Sequence, residues 1–394
     1  MTQELLVAGG GIAGLAAAVA GSRAGWEVRL FEQAAAFGEV GAGLQLGPNA
    51  TRLLGEWGLL DAVRARAAAP RRLVVRDAHR GHEIAALALG ADIERRYGAP
   101  YLTAHRADLH AVLLEAAQGR GARLHTGTRL AAMDEDEAVV RLHTECGRTV
   151  EGEALAVADG LWSTLRVQLL GGQARPRAFG HLAYRGLLPA ADVADRGLLR
   201  AVTAWLGPDL HAVTYPVRSG ELLNVVCFVE GRVEGDPTGW DREATAARLQ
   251  AALRPVRGGL RALVDAMPGW RLWVLHDRAP LGSAQEMARG RAALLGDAAH
   301  PMRPYLAQGA AMALEDAGAL GRALAMADGR LIDVPTALRC YAQGRWQRCA
   351  RVQRRSLRNG RIFHAGGLVR WGRDASLRLL GARLLDMPWL YGPL

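Results

Sequence analysis

Leu5-Leu6-Val7-Ala8-Gly9-Gly10-Gly11-Ile12-Ala13-Gly14 stands near the start of the chain, and Trp26-Glu27-Val28-Arg29-Leu30-Phe31-Glu32 follows it. Four apolar residues bounded by glycine predict a buried strand. The alanine-rich run from Leu15 to Arg23 predicts a helix, and Trp26 to Phe31 a second strand ending on an acid. Glycines alone carry little weight. The order strand, glycine turn, helix, strand, acid, packed into about thirty residues, is what a dinucleotide-binding unit requires. Gly9 permits the turn, Gly11 lets backbone N–H groups approach a pyrophosphate, and Gly14 lets helix and strand pack closely. The phosphates then meet a helix N-terminus, where unpaired donors and the helix dipole favour negative charge. Glu32 is placed to accept hydrogen bonds from a ribose diol and repels a 2′-phosphate, so the site is expected to hold FAD or NAD and not NADP.

Working outward, 394 residues with 50% hydrophobic and 22% charged side chains make a globular chain of two or three domains. The net charge of +10 (49 basic, 39 acidic) comes from arginine, because the sequence contains no lysine. That pattern reads as a compositional bias rather than a nucleic-acid surface, and no nucleic-acid partner is expected. Cys146, Cys227, Cys340 and Cys349 form no Cys-x-x-Cys pair, so reduced thiols, a cytoplasmic setting and no metal site are expected. The first residues lack the basic region of a signal peptide, and no run of 18 strongly apolar residues predicts a membrane span.

Strands are predicted at Arg72–Asp77, near Glu83–Leu89, at Ala122–His125, Ala138–His143 and Glu153–Ala158, and a helix at Ala107–Gln118. From 178 to 275 alternating segments (Leu182–Leu188, Thr203–Leu206, His211–Pro216, Leu222–Val229, Arg271–Leu275) predict an antiparallel layer interrupted by a helix at Glu243–Leu253. The expected class is α/β: a Rossmann-like domain from 1–71, 98–177 and 276–335, a mainly antiparallel substrate domain from 72–97 and 178–275, and C-terminal helices over 336–394.

Two later stretches join the first. They are Val157-Ala158-Asp159-Gly160-Leu161-Trp162-Ser163-Thr164-Leu165-Arg166 and Leu295-Gly296-Asp297-Ala298-Ala299-His300-Pro301, the latter followed by Tyr305 to Ala310 and a helix with Glu315-Asp316. With three motifs in this order, residues 1–330 resemble the single-component FAD-dependent aromatic hydroxylases, the para-hydroxybenzoate hydroxylase-like monooxygenases, particularly members acting on salicylate, 3-hydroxybenzoate and 6-hydroxynicotinate. The resemblance implies that Gly9, Gly11, Gly14 and Glu32 hold the FAD adenosine and pyrophosphate and that Arg106 reaches the phosphate and ribityl region. It also implies that Asp297 bonds the ribityl hydroxyls, that Gly309 and Ala310 point N–H groups at the flavin pyrimidine ring, and that Asp159 serves cofactor and pyridine nucleotide. Plainer readings stand beside these: Asp159 as a cap for the helix after Ser163, Asp297 as a turn cap, and His300 as a turn residue.

The implied reaction uses O₂ and transient NADH or NADPH: reduced FAD forms a C4a-hydroperoxide, and a small aromatic ring activated by loss of a phenol proton attacks its distal oxygen. With one dinucleotide fingerprint and no redox Cys-x-x-Cys, a resident second nucleotide is not expected. In His211-Ala212-Val213-Thr214-Tyr215-Pro216, residues four apart on a strand share a face. Relatives carry a similar His-x-x-x-Tyr-Pro element in the active site, so His211 is the candidate to receive the phenolic proton and Tyr215 to bond a hydroxyl or carboxylate. A structural His–Tyr pair is the alternative. Gln45, in the glycine-rich Gly41–Asn49 segment, and Pro304 and Gln308 are pocket candidates. Arg348, Arg351, Arg355 and Arg358 recur at helical spacing as a solvated stripe, and Trp371, Trp389 and Tyr391 as docking residues. Alternatives to a hydroxybenzoate-type substrate are a larger polycyclic compound or a flavin-binding protein without turnover. A monomer or homodimer is expected.

Overall fold

The computed structural model describes residues 3–38, 42–171, 175–231, 242–243, 247–328 and 331–393. The chain divides into two compact units, one of Met1–Val40, Leu109–Arg177 and Asp277–Ser356, the other of Gly41–Asp108, Ala178–His276 and Leu357–Leu394.

The first unit is built on a six-stranded sheet in the order Ala288–Arg289, Ala292–Leu294, Ala154–Val157, Glu4–Ala8, Glu27–Phe31, Arg123–His125. All pairings but the first are parallel. Leu5, Leu6, Val7 and Ala8 are all fully buried, as a strand covered on both faces must be. The covering helices are Ile12–Arg23 and Gly309–Asp328, which approach closely because their contact is made of small residues: a Cβ on Gly321 would lie 3.0 Å from Ala20 Cβ. Trp26 Nε1 donates to Leu324 O at 3.0 Å and pins the pair.

The second unit carries an eight-stranded sheet in the order Arg242–Glu243, Arg271–Asp277, Arg177–Pro189, Leu222–Glu230, Leu210–Val217, Ala201–Gly207, Arg72–Asp77, Glu83–Ala88. The pairing of Ala201–Gly207 with Arg72–Asp77 is parallel. Period-two alternation splits its faces. Leu182, Tyr184, Trp205, Leu210, Ala212, Leu223, Val225 and Cys227 pack with Leu249, Leu260 and Leu263 into an apolar core. The opposite face of the same strands is left for Arg185, His211, Tyr215, Asn224 and Phe228.

Segments 41–71 and 98–108, expected with the dinucleotide fold, cluster with this second sheet. The strands Gly43–Leu46 and Leu102–His105 pair with each other. Gly43 N donates to Asn224 Oδ1 at 2.8 Å and Thr103 Oγ1 to Pro216 O at 2.5 Å, which bonds them to the sheet. Nor is 336–394 a body of its own. The Val334–Phe363 helix starts in the first unit and ends in the second, where Arg370 pairs with Asp77 at 2.6 Å.

Candidate cofactor and substrate sites

The glycine turn is sterically compulsory. Gly9 has φ +102°, and a Cβ there would sit 2.5 Å from Ala158 O; a Cβ on Gly14 would collide with Gly9 O. Gly11 starts the Ile12–Arg23 helix with extended backbone (φ −75°, ψ −175°), leaving the first-turn N–H groups pointing outward. Glu32 holds this turn directly: its Oε2 accepts from Gly10 N at 2.7 Å and its Oε1 from Ala34 N at 2.8 Å. On the other side His110 Nε2 lies 2.8 Å from Gly10 O.

Two distant segments meet this turn. A Cβ on Gly9 would touch Asp159 Cα at 2.9 Å, and one on Gly296 (φ +56°) would touch Ala13 Cβ at 2.9 Å and Ala313 Cβ at 3.3 Å. The Gly9–Gly14 loop, Asp159, the Asp297 turn and the first turns of the Gly309–Asp328 helix therefore lie close together within the first unit. Asp297 is exposed, and nothing lies within 4 Å of a Cβ on Gly309, so no protein packing demands glycine at that helix start. Ala307, at φ +52°, turns the chain into the helix, and Gln308 caps it by accepting from Met312 N at 2.8 Å. Pro304 is half-buried and Gln308 buried.

The N-cap of the Thr164–Leu170 helix is Ser163, with the Asp159 carboxyl also facing Leu165 N–H in its first turn. Ser163 Oγ fills that role, accepting from Arg166 N at 2.9 Å. Asp159 Oδ1 is sealed from solvent without a hydrogen-bond partner among the described residues, and burial lifts the carboxyl to about 6. Arg166, fully buried, donates to the carbonyls of Asp297 at 3.1 Å, Ala298 at 3.0 Å and Leu161 at 2.7 Å, tying the two acid motifs together.

Behind the Asp297 turn lies a buried ionic hub that the sequence reading passed over. Asp316 Oδ2 accepts from Gly296 N at 3.0 Å and lies 2.5 Å from His300 Nε2, and its Oδ1 accepts from Arg345 Nε at 2.8 Å. Glu315 Oε2 takes Arg345 Nη1 and Arg348 Nε, both at 2.6 Å. Burial works to lower the His300 imidazole, but the neighbouring Cys349 and Asp316 raise it well above its ordinary value. Burial would raise Asp316, yet His300 and Arg345 draw it below the ordinary carboxylate range. His300, Asp316 and Cys349 have metal-ligand chemistry, but the Arg345 guanidinium already bonds both Asp316 and Cys349 and makes the cluster an ion-pair network. His300 closes the turn as expected, its backbone N–H donating to Gly296 O at 2.9 Å, and is a buried charge partner as well. Arg348 departs from the solvated stripe expected of it, while Arg351 and Arg358 are exposed.

In the second unit Tyr215 lies under Gly43, whose Cβ would overlap its ring and come 2.8 Å from Asn224 Cγ. Burial raises the Tyr215 phenol and the charge of Arg185 lowers it, with a strongly raised result. Arg185 is stacked over Trp273 at 3.7 Å on the same sheet face. Gln45 Oε1 accepts from Tyr101 OH at 2.7 Å. Arg106 follows the Leu102–His105 strand and its N–H reaches Ala42 O at 2.8 Å. The Gly41 end of the Gly41–Asn49 segment lies outside the described residues. Tyr391, expected at a docking surface, is buried against Gly47, with its ring 5.7 Å from Tyr97 and 6.2 Å from Tyr101.

His211 shares the strand face of Tyr215 but sits about 13 Å along it, in a different environment. Its ring is 1% exposed, stacks on Phe228 at 4.3 Å and meets Phe363 edge-on at 5.4 Å. Its Nδ1 lies 2.6 Å from His364 Nε2. Burial, then the charges His364 and His181 would carry, push it well below its ordinary value.

A tight glycine turn between a buried parallel strand and a helix start, with the Asp297 turn packed against the same helix, is the architecture of a dinucleotide-binding oxidoreductase domain. Residues 2–356 match the family described as FAD binding domain, and the chain belongs to that family. It is 39% identical over 392 residues to the 3-hydroxybenzoate 6-hydroxylase of Polaromonas naphthalenivorans (strain CJ2), covering 98% of this chain and 95% of that one. To the 6-hydroxynicotinate 3-monooxygenase of Bordetella bronchiseptica (strain ATCC BAA-588 / NCTC 13252 / RB50) it is 38% identical over 358 residues, covering 89% and 90%. The solved salicylate hydroxylase substrate complex superposes with a TM-score of 0.83 at 27% identity, covering 99% and 95%. The protein is an FAD-dependent aromatic monooxygenase. Among the described residues, no helix is long and apolar enough to cross a membrane.

Proposed function

We propose that the protein hydroxylates a small hydroxylated aromatic carboxylic acid of the hydroxybenzoate or hydroxynicotinate type, consuming NADH or NADPH and O₂. The observation that carries this reading is the close packing of the Gly9 turn, Asp159, the Asp297 turn and the helix that begins at Gly309, in a chain nearly 40% identical to enzymes of that chemistry. The bound FAD supplies electron transfer and oxygen activation. Gly9, Gly11, Gly14 and Glu32 hold its nucleotide end, Asp297 its polyol chain, and Arg106 adds positive charge for the phosphates. The N–H groups of Gly309 and Ala310 stabilise negative charge placed at their helix terminus. Asp159 keeps its supporting place beside the glycine turn.

His211 accepts the phenol proton, Tyr215 donates to a substrate oxygen, and Gln45, Pro304 and Gln308 border the ring. Burial, with His364 and His181 nearby, disfavours the His211 cation, so the imidazole rests neutral. The free thiols Cys146, Cys227, Cys340 and Cys349 fit a cytoplasmic setting, and a monomer or homodimer without nucleic acid completes the reading.

Purified protein should be yellow, and a panel of hydroxybenzoates and hydroxypyridine carboxylates should contain one that accelerates NADH or NADPH oxidation with a hydroxylated product. His211→Ala is expected to lower product per nicotinamide oxidised and to release more hydrogen peroxide. Unchanged coupling removes His211 from the reaction, and a panel without any stimulating acid defeats the substrate class.

A further inference from the structure

A surface helix ordinarily buries its apolar stripe and shows its charges to water, and the Gly367–Leu380 helix does the reverse. Its inward side carries charge. Arg370 bonds Asp77 at 2.6 Å, and Arg373 bonds Asp374 at 2.8 Å and the carbonyls of Ile362 and Phe363 at 3.0 and 2.9 Å. Leu377 adds an apolar anchor on that side, packed with Val75, Ile84, Ala85 and Leu206.

The outward side is apolar. At about 100° per residue, Leu368, Val369, Trp371, Leu379 and Leu380 fall on one half of the circumference, and no charged residue of the helix shares it. Arg378 stands at the margin and leans on His82 at 3.0 Å. Leu368 is 88% exposed, Trp371 74% and Leu379 85%. With Leu384 just beyond, these are six of the eight large apolar side chains exposed among the described residues. Together the six expose on the order of 700 Å², above the roughly 300–600 Å² of the largest apolar patch on a typical monomer. A standard interface removes about 800 Å² from each partner, so one partner of ordinary size covers the patch.

The arrangement along the helix points to what that partner is. The large side chains stand at the two ends, with Leu368 and Leu379 about 16 Å apart. Gly372, Ala375 and Ser376 form a waist of small residues between them. A flat lipid surface would meet only the ends of such a face, whereas a second helix of the same shape fills the waist. We propose that this face is the interface of a homodimer, the helix of one copy crossing that of a second copy antiparallel about a two-fold axis. The Leu368 end of each copy then meets the Leu379 end of the other, and each Trp371 ring lies over the other's waist. Small residues at the crossing let the two axes approach to roughly 8 Å. Arg370 and Arg373 are neutralised within their own chain by Asp77 and Asp374, so neither brings an uncompensated charge to the contact. The interface holds whatever acid the enzyme hydroxylates.

Sedimentation velocity of the FAD-loaded, full-length protein at micromolar concentration tests this. The parent should sediment as two chains of 42.1 kDa each. Trp371→Glu and, separately, Leu368→Glu combined with Leu379→Glu should sediment as one chain. Their dimer dissociation constants should rise about a hundredfold or more, with FAD content unchanged. Ala375→Cys should form a disulfide between copies on mild oxidation, above the level given by a parent that already carries exposed Cys146 and Cys340. A parent that sediments as one chain overturns the interface. A dimer that survives the glutamate substitutions and gives no Ala375→Cys cross-link places the contact elsewhere and also overturns it. A one-chain parent that binds phosphatidylglycerol vesicles, with binding lost in Trp371→Glu, assigns the face to lipid and overturns it as well.

Discussion

A carboxyl held where its charge is unwelcome has a thermodynamic signature, and Asp159 is such a group. Its folded value, about 6, lies above the ordinary 3.8, so its contribution to stability is complete below 3.8 and is lost as pH rises through 6. Asp159→Asn removes that loss. The apoprotein variant is expected to melt a few degrees above the parent at pH 8 and level with it at pH 4, read by thermal unfolding. Glu32 makes the opposite case. Its carboxylate accepts two backbone N–H groups at the nucleotide turn, and charge-assisted bonds of this kind contribute roughly 1.5–3 kcal/mol each. Glu32→Ala should therefore raise the FAD dissociation constant at least about tenfold while leaving aromatic-acid affinity nearly unchanged. Fluorescence titration of the apoprotein checks it, and equal FAD retention in variant and parent contradicts the assignment.

At the scale of elements, the Val334–Phe363 helix supports the Gly296–His300 turn from behind. Arg345 neutralises Glu315 and Asp316, and Asp316 in turn holds Gly296 and His300 in the turn that presents Asp297. Arg345→Met leaves two buried carboxylates against Arg348 and His300 alone, and breaking such a buried pair costs about 3–5 kcal/mol. A large drop in melting temperature with weakened FAD retention is expected; near-parental values of both would remove the hub from the support of the site. The strands and glycine turns were legible because a local pattern encodes each: Leu5–Gly14, Asp159-Gly160 and Gly296-Asp297 carry their geometry in adjacent residues. The hub was not, because Arg345 reads as one more surface arginine until Glu315-Asp316 is found opposite it, about thirty residues earlier. Two adjacent acids in the mostly apolar first half of the Gly309–Asp328 helix were the available signal. His364 next to His211 had none, since no periodicity links 211 to 364. The allegiance of 41–71 was likewise invisible, because it is decided by Gly43 against Tyr215 and Asn224 rather than by any feature of the segment itself.

For the molecule as a whole, the histidines set opposing limits on stability. His300 is raised, so its contribution is intact below about 6.5 and is lost as pH rises through its folded value. His211 and His364 are lowered, so theirs is intact above about 6.5 and is lost as pH falls, for His364 down to about 3. Melting temperature against pH should peak near about 6.5, with His300→Gln flattening the alkaline limb and His364→Gln the acid one. A profile indifferent to both substitutions contradicts the charge states. The interleaving of segments also bears on how the chain is born. The Arg72–Asp77 strand must wait for Ala201–Gly207 to pair with it, and the face beneath His211 waits for Phe363 and His364. During N-to-C synthesis the second unit therefore spends most of translation with its sheet edges and apolar side chains unshielded. Chaperone dependence and aggregation of early-terminated chains should concentrate there, while the first unit gains its own closing helix some thirty residues sooner.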